Sequence, residues 1–312
     1  MPHRIAAIQK ATAHLPHPGR VTMLAIAGDS ASGKTTITKG LVQALGDMRI
    51  GSFCTDDYHR YDRVERKTLP FTPLHPDCNF LEIMEQHLQL LTLGQPILKP
   101  KYHHSDGTLG RPELFEPQDI VIVEGLFPLW SKLSRATFDV TVYLDPPEEV
   151  RRRWKIQRDT GKRGYTEEEV LKDLVKREPE SEKYIRPQRA HADIVISFAP
   201  VEGRTESDQT MSATILLRPT VPHPDLSSIL TSDTRESVHL KLIRDQDGKP
   251  VDALHVHGHA PEASTRIVEE TIWRHIGMNA TIPPSLGMIS EGTRSAPLAI
   301  AQLILLHHLI RG

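Results

Sequence analysis

Gly28-Asp29-Ser30-Ala31-Ser32-Gly33-Lys34-Thr35 reads G-x-x-x-x-G-K-[ST] and directly follows the apolar run Val21 to Ala27. The chain thus passes from strand through loop to helix, the order a phosphate-binding loop requires. Gly28 and Gly33 let the backbone curl so that successive N–H groups face phosphate oxygens, and the following helix adds the positive end of its dipole. Lys34 is expected to reach the β- and γ-phosphates and the Thr35 hydroxyl to meet Mg²⁺. Gly28 through Thr36 are therefore the expected nucleotide contacts, and a P-loop NTPase-like α/β domain is the expected frame.

Outward from the loop, Thr36 to Leu45 has apolar residues at helical spacing, with Gly46 placed to end it. A strand over Ile50 to Cys54 runs into Thr55-Asp56-Asp57-Tyr58-His59, which puts polar groups at a strand's C-terminal end, where open α/β sheets bind ligands. Arg60 to Phe80 reads as a polar loop, Leu81 to Leu93 as an amphipathic helix closed by Gly94, and residues 95–117 as irregular. Asp119 to Glu124 is nearly all apolar, as a central parallel strand should be. Phe138 to Asp145 and Ala192 to Phe198 read likewise, with a charged helical region from Glu148 to about Lys183 between them. Beyond residue 200, strands are expected over Met211 to Arg218 and Val238 to His257 with a turn at Asp247-Gly248, and helices over Pro261 to Ile276 and Ala296 to Ile310. The expected organisation is an appendage over 1–20 carrying a short helix at 2–15, a kinase core over 21–200, and an α+β extension over 201–312.

A chain of 312 residues with net charge -2 carries no global basic field, so nucleic acid is not expected as a partner. No run of about twenty apolar residues argues for a membrane span. Cys54 and Cys78 are the only cysteines, too few for a disulfide framework, and a reducing cytoplasm fits.

Asp56 is placed to accept a proton from an acceptor hydroxyl, with Asp57 as the adjacent alternative. Glu124, at the end of the buried strand and before Gly125, has the geometry of a second carboxylate near the metal. His59, Arg63 and Lys67 recur every four residues, so a helical segment would align them for an anionic acceptor. Lys155, Arg158 and Arg163, with Asp159, form a second group that could close over the transferring phosphoryl group. His255, His257 and His259 alternate on a strand and read as ordinary strand histidines.

The chain resembles the phosphoribulokinase and uridine kinase family, and within it the phosphoribulokinases of plant and cyanobacterial type. The resemblance rests on the phosphate loop, on Asp56-Asp57-Tyr58-His59-Arg60-Tyr61-Asp62-Arg63, on Pro100-Lys101-Tyr102-His103-His104, and on Val123-Glu124-Gly125-Leu126. Trp154 to Asp159, Arg163-Gly164-Tyr165 and Tyr184-Ile185-Arg186-Pro187-Gln188 complete it. It implies Asp56 as the catalytic base, with Lys34 and Glu124 beside it. It places His59, Arg63, Lys67, Tyr102 and His104 on the sugar phosphate and Lys155, Arg158 and Arg163 in the closing region. It implies ATP and Mg²⁺, ribulose 5-phosphate as substrate, and a homodimer. In plant-type enzymes a phosphate-loop cysteine pairs with one before the Asp-Asp dipeptide; here Ser32 and Cys54 stand at those positions. Redox control of that kind, and inhibitory complexes built on it, are not expected. A nucleoside kinase of the same fold and a non-catalytic nucleotide-sensing module are the competing readings.

Overall fold

The computed structural model describes residues 20–46, 49–201, 210–278 and 281–311; the helix expected over 2–15 lies outside them. Strand β1 (Thr22–Gly28) buries every residue after Thr22. Helix α1 (Lys34–Leu45) follows, and Gly46, at φ +55°, ends it in the left-handed conformation glycine adopts most readily. After β2 (Ile50–Cys54) the chain makes three short 3₁₀ turns, at Thr55–Tyr58, Glu65–Thr68 and Pro76–Cys78. The amphipathic α2 (Leu81–Thr92) buries Leu81, Met84, Leu88 and Leu91.

The segment expected to be irregular forms an antiparallel hairpin, β3 (Ile97–Tyr102) with β4 (Leu109–Phe115), whose register shifts between Lys99 and Lys101. Pro100 sits at that shift, because proline cannot donate to a ladder. The fully buried β5 (Ile120–Gly125) precedes α3 (Lys132–Ala136) and the fully buried β6 (Val140–Leu144). The long charged region divides into α4 (Glu148–Lys162) and α5 (Glu167–Glu180). Gly164, at φ +73°, marks the break, and Thr166 with Glu169 forms a capping box that restarts the helix. A single π-turn, Ser181–Ile185, extends α5 beyond Pro179.

The chain divides into two compact units. The first holds residues 20–34 and 51–192, and its strands run in the order β2-β5-β1-β6. β1 pairs in parallel with β5, Ile26 opposite Glu124, and with β6, Gly28 opposite Leu144. The mostly parallel α/β sheet read from the sequence is present. One core joins Met23, Phe53, Val121 and Val123 of the strands to Met84, Leu88 and Leu91 of α2.

The second unit holds residues 35–50 and 193–312. Its strands β7 (Ile194–Ala199), β8 (Ser212–Leu217), β9 (Val238–Arg244) and β10 (Pro250–Val256) form antiparallel neighbours in the order β7-β8-β10-β9. The turn between β9 and β10 uses Gly248 at φ +79°, as Asp247-Gly248 predicts. Helix α6 (Glu262–His275), the short strands β11 (Met288–Ser290) and β12 (Thr293–Arg294) and helix α7 (Ala296–Arg311) complete the alternation of strands and helices. Although α7 is buried nearly all round, no helix among the described residues is long and apolar enough to cross a membrane.

Gln302 of α7 is fully buried because its amide is satisfied at both ends. Its Nε2 donates to the carbonyls of Thr36 and Ile37 at 3.3 Å each, and its Oε1 accepts from Gly287 N–H at 2.8 Å. A Cβ on Gly40 would lie 1.9 Å from that nitrogen. Glycine to alanine inside a helix ordinarily stabilises by about 1 kcal/mol. Here the methyl group displaces a buried amide, so Gly40→Ala is expected to destabilise by about 2 to 4 kcal/mol in urea unfolding.

Candidate active site

The phosphate loop leaves β1 at Gly28, φ +151°, where a Cβ would stand 2.6 Å from Ser32 Oγ and 2.8 Å from the Leu144 carbonyl oxygen. No other residue type fits there. Ala31 is left-handed at φ +65° and Gly33 follows at φ +97°, so the loop curls on itself. Lys34 folds back across it, Nζ donating to the carbonyls of Gly28 at 2.9 Å and Asp29 at 2.7 Å. Burial lowers the Lys34 pKa, against the attraction of Glu124 and Asp56.

Asp29 braces the loop from behind. Its carboxylate accepts from Ser30 N–H at 2.6 Å and from the Ser181 hydroxyl, and lies 3.6 Å from Arg151 Nη1. Arg151, only 5% exposed, also donates to Ser30 O, and Arg158 Nη2 donates to Ser30 Oγ at 3.3 Å. The sequence motif names Asp29 and Ser30 but gives no sign of Arg151 or Ser181, which lie more than a hundred residues away.

The adjacent aspartates separate by environment. Asp57 is buried, its oxygens accepting from Lys99 Nζ at 2.5 Å and Tyr102 N–H at 2.9 Å. Its carboxylate is committed to tying β3 to the end of β2. Asp56 keeps about a quarter of its side chain exposed, with Oδ2 3.9 Å from His104 Nε2. Burial by itself would raise the Asp56 carboxyl, but His59 and His104 when protonated, together with the Lys34 and Arg163 cations, hold it below its ordinary value. Asp56 is thus the ionised carboxylate that faces the cations.

The row His59, Arg63, Lys67 is not helical, because only short 3₁₀ turns occur at Thr55–Tyr58 and Glu65–Thr68. The four-residue spacing therefore does not align these side chains. His59 is buried, with Nδ1 2.7 Å from Asn79 Oδ1, and burial pulls its pKa down to about 4. Asn79 Nδ2 donates to the carbonyls of Pro73 and His75, which turns Oδ1 toward the imidazole and fixes the proton on Nδ1. Neutral His59 stacks edge-on against Tyr102 at 4.9 Å. Arg63 donates to the His104 carbonyl at 2.8 Å and lies over the Tyr165 ring, while Lys67 is exposed.

Arg66, which the sequence reading passed over, stands where Lys67 was expected. Its guanidinium bonds the Tyr102 hydroxyl and lies 5.0 Å over that ring, and its Nη1 is buried without a hydrogen-bond partner. Tyr102 in turn packs edge-on against His104 at 5.1 Å. Only the Arg-Lys adjacency could have flagged it, and the assumed helix pointed to its neighbour.

In α4, Lys155 is 2% exposed and pairs with Asp159 at 2.8 Å and Asp173 at 3.2 Å. It binds α4 to α5 and has little free charge to offer a ligand. Burial opposes ionisation of Asp159, yet Arg158 and Lys155 hold its carboxyl at about 2. Arg158 and Arg163 share the other Asp159 oxygen at 2.7 and 3.4 Å. Both remain more than a quarter exposed, and Arg163 interacts with Asp56 and Arg63.

The residues present fit a nucleoside triphosphate with its magnesium. The loop curls through Gly28, left-handed Ala31 and Gly33 around the Lys34 ammonium, and Glu124, 8% exposed near the end of β5, is close enough to attract that ammonium.

The phosphoribulokinase / uridine kinase family model matches residues 23–203. A phosphoribulokinase of Synechocystis sp. is 42% identical over 181 residues, covering 58% of this chain and 54% of that one. A uridine kinase of Staphylococcus epidermidis is 32% identical over 181 residues, covering 57% of this chain and 87% of that one. The chain spans about half the length of the curated phosphoribulokinases it matches. The solved phosphoribulokinase from Rhodobacter spheroides superposes with a TM-score of 0.59 at 17% identity, covering 82% of this chain and 97% of that one, and shares the fold. The glycine-cradled loop, the carboxylates beside it and the match over residues 23–203 agree: the chain belongs to the phosphoribulokinase and uridine kinase family.

Proposed function

We propose that the chain is an ATP-dependent kinase of ribulose 5-phosphate, forming ribulose 1,5-bisphosphate as in carbon fixation of the Calvin-Benson type. One observation carries the choice of acceptor: Arg63 and Arg66 are gathered with Tyr102 and His104 near Asp56. A phosphorylated acceptor needs such cations and a nucleoside does not. The buried, unpaired Nη1 of Arg66 supports the same reading. The greater identity to the Synechocystis phosphoribulokinase than to the Staphylococcus uridine kinase supports it further.

When bound, ATP with Mg²⁺ supplies the γ-phosphoryl group and screens its charge. Gly28 through Lys34, with Thr35 and Thr36, would hold the nucleotide, and Thr35 and Glu124 would hold the metal. Asp56 accepts the proton of the acceptor hydroxyl as that oxygen bonds to phosphorus and the β,γ-bridging bond breaks. Lys34, Arg158 and Arg163 offset the negative charge that develops. Neutral His59 donates its Nδ1 proton to Asn79 and so holds the Tyr102 wall rather than adding charge.

We place this activity in a reducing cytoplasm, in keeping with two free cysteines. A homodimer is the proposed assembly, supported by β9 ending its sheet with Leu242 74% exposed.

Asp56→Asn is expected to keep ATP affinity and lower turnover by at least about a hundredfold, read in a coupled ADP-release assay. Arg66→Met should cost about 2 to 4 kcal/mol in kcat/KM for ribulose 5-phosphate while the KM for ATP stays nearly constant, with Lys67→Met costing less. Efficient uridine phosphorylation by the parent, abolished with the same variants, would put the nucleoside kinase in its place. ATP binding without transfer to either acceptor would favour the sensing module.

The pH dependence has a definite sign. Asp56 must be ionised to act, and its pKa is depressed, so activity is retained at neutral pH and lost as pH falls through the depressed value. Arg163→Gln removes a permanent cation from Asp56 and should move the acid limb of kcat/KM to higher pH. An acid limb that stays in place would mean that Arg163 does not act on the base.

A further inference from the structure

The catalytic reading uses Asp56 and His104 but leaves the thiol beside them without a task. Cys54 Sγ, an oxygen of Asp56 and a ring nitrogen of His104 all lie within 4.8 Å of one another. Tetrahedral Zn²⁺ with bond lengths of about 2.0 to 2.3 Å holds its ligands roughly 3.3 to 3.8 Å apart, and Asp56 Oδ2 is 3.9 Å from His104 Nε2. Contraction by up to about 1.5 Å closes the set. His104 is 43% exposed and Asp56 24% exposed, and the thiol sulfur accepts a long 3.5 Å contact from Asp56 N–H.

The donor set also discriminates. A thiolate, an imidazole and one carboxylate suit a borderline-soft cation, whereas Mg²⁺ demands oxygen ligands in octahedral array. The expected magnesium residues, Thr35 and Glu124, are not members of this cluster.

We propose that Cys54, Asp56 and His104 form a site for a thiophilic divalent cation of the Zn²⁺ class, and that filling it switches the enzyme off by occupying the base. Binding exchanges the thiol proton for the metal: the S–H bond breaks, the proton passes to solvent, and the sulfur lone pair bonds the cation, with no change of oxidation state. The bound carboxylate can then no longer accept the hydroxyl proton. Only this second half rests on the kinase reading, since the binding site stands on geometry alone.

Co²⁺, added to the metal-free protein, reports the site without reference to activity. A thiolate-to-cobalt charge-transfer band is expected at one equivalent, displaced by Zn²⁺, present in Cys78→Ser and absent in Cys54→Ser. His104→Asn should weaken binding by at least about tenfold. A missing band in the parent, or a band that survives in Cys54→Ser, overturns the site; Co²⁺ held by histidines elsewhere would not produce it.

In the coupled assay with Mg²⁺-ATP, stoichiometric Zn²⁺ should inhibit the parent and spare Cys54→Ser, whose metal-free activity is retained. Inhibition that is equal in both proteins overturns the switch. Absence of ribulose 5-phosphate phosphorylation in the metal-free parent would overturn the kinase reading, and the cobalt spectra would still decide the site.

Discussion

A single ammonium folded back on its own loop sets the geometry on which the rest depends. Lys34 is partly withdrawn from water, which penalises its charge, and the two loop carbonyls it bonds cannot neutralise it. Carboxylates must therefore stand nearby, and Glu124 and Asp56 supply the largest of these attractions. Parallel pairing of β1 with β5, with Ile26 opposite Glu124, brings one of them to the loop. The turn at the end of β2 brings the other. The Lys34 ammonium and the Asp56 carboxylate are thus stabilised by each other before any ligand arrives.

The second constraint is on the back of the loop. Asp29 is buried and would be costly there alone, but Ser181, Arg151 and its own neighbour's N–H complete its hydrogen bonds. The π-turn that carries Ser181 also follows Glu180, whose carboxylate holds Thr72, and contains Tyr184, whose hydroxyl meets His75. Gln188, a turn later, bonds Leu126 O and Leu129 N–H. One short stretch thus grips the phosphate loop, the loop that carries Thr72 and His75, and the segment after β5, which gives a physical reason for the motif around Tyr184 to Gln188. Such single π-turns occur often at functional sites.

Elements whose pattern is local were legible in the sequence. The phosphate loop, the buried β5, the amphipathic α2 and the Asp247-Gly248 turn each announce themselves within a few residues. The β3–β4 hairpin did not, because Pro100, Gly110 and Pro112 interrupt it and β4 is largely exposed, leaving no alternation to read. The basic row failed for the opposite reason, since a four-residue spacing imitates a helix where the chain makes only short 3₁₀ turns. That error moved attention from Arg66 to Lys67. Lys155 looked like a ligand residue because its partners, Asp159 and Asp173, lie one turn and one helix away. A charge that is already paired cannot be told from a free one by composition.

Asp56 and Asp57 show how far the division of labour lies beyond sequence. The two carry the same chemical group on consecutive residues, and either could have been the base. The backbone turn sends Asp57 inward, where leaving Lys99 unpaired would cost several kcal/mol, so its carboxylate is committed to a structural partner. Asp56 is sent toward solvent and meets only longer-range cations. It is held ionised without a close partner of its own, which is what the proposed role of proton acceptor requires. The same freedom leaves it open to capture by a cation that the thiol of Cys54 and the imidazole of His104 can share.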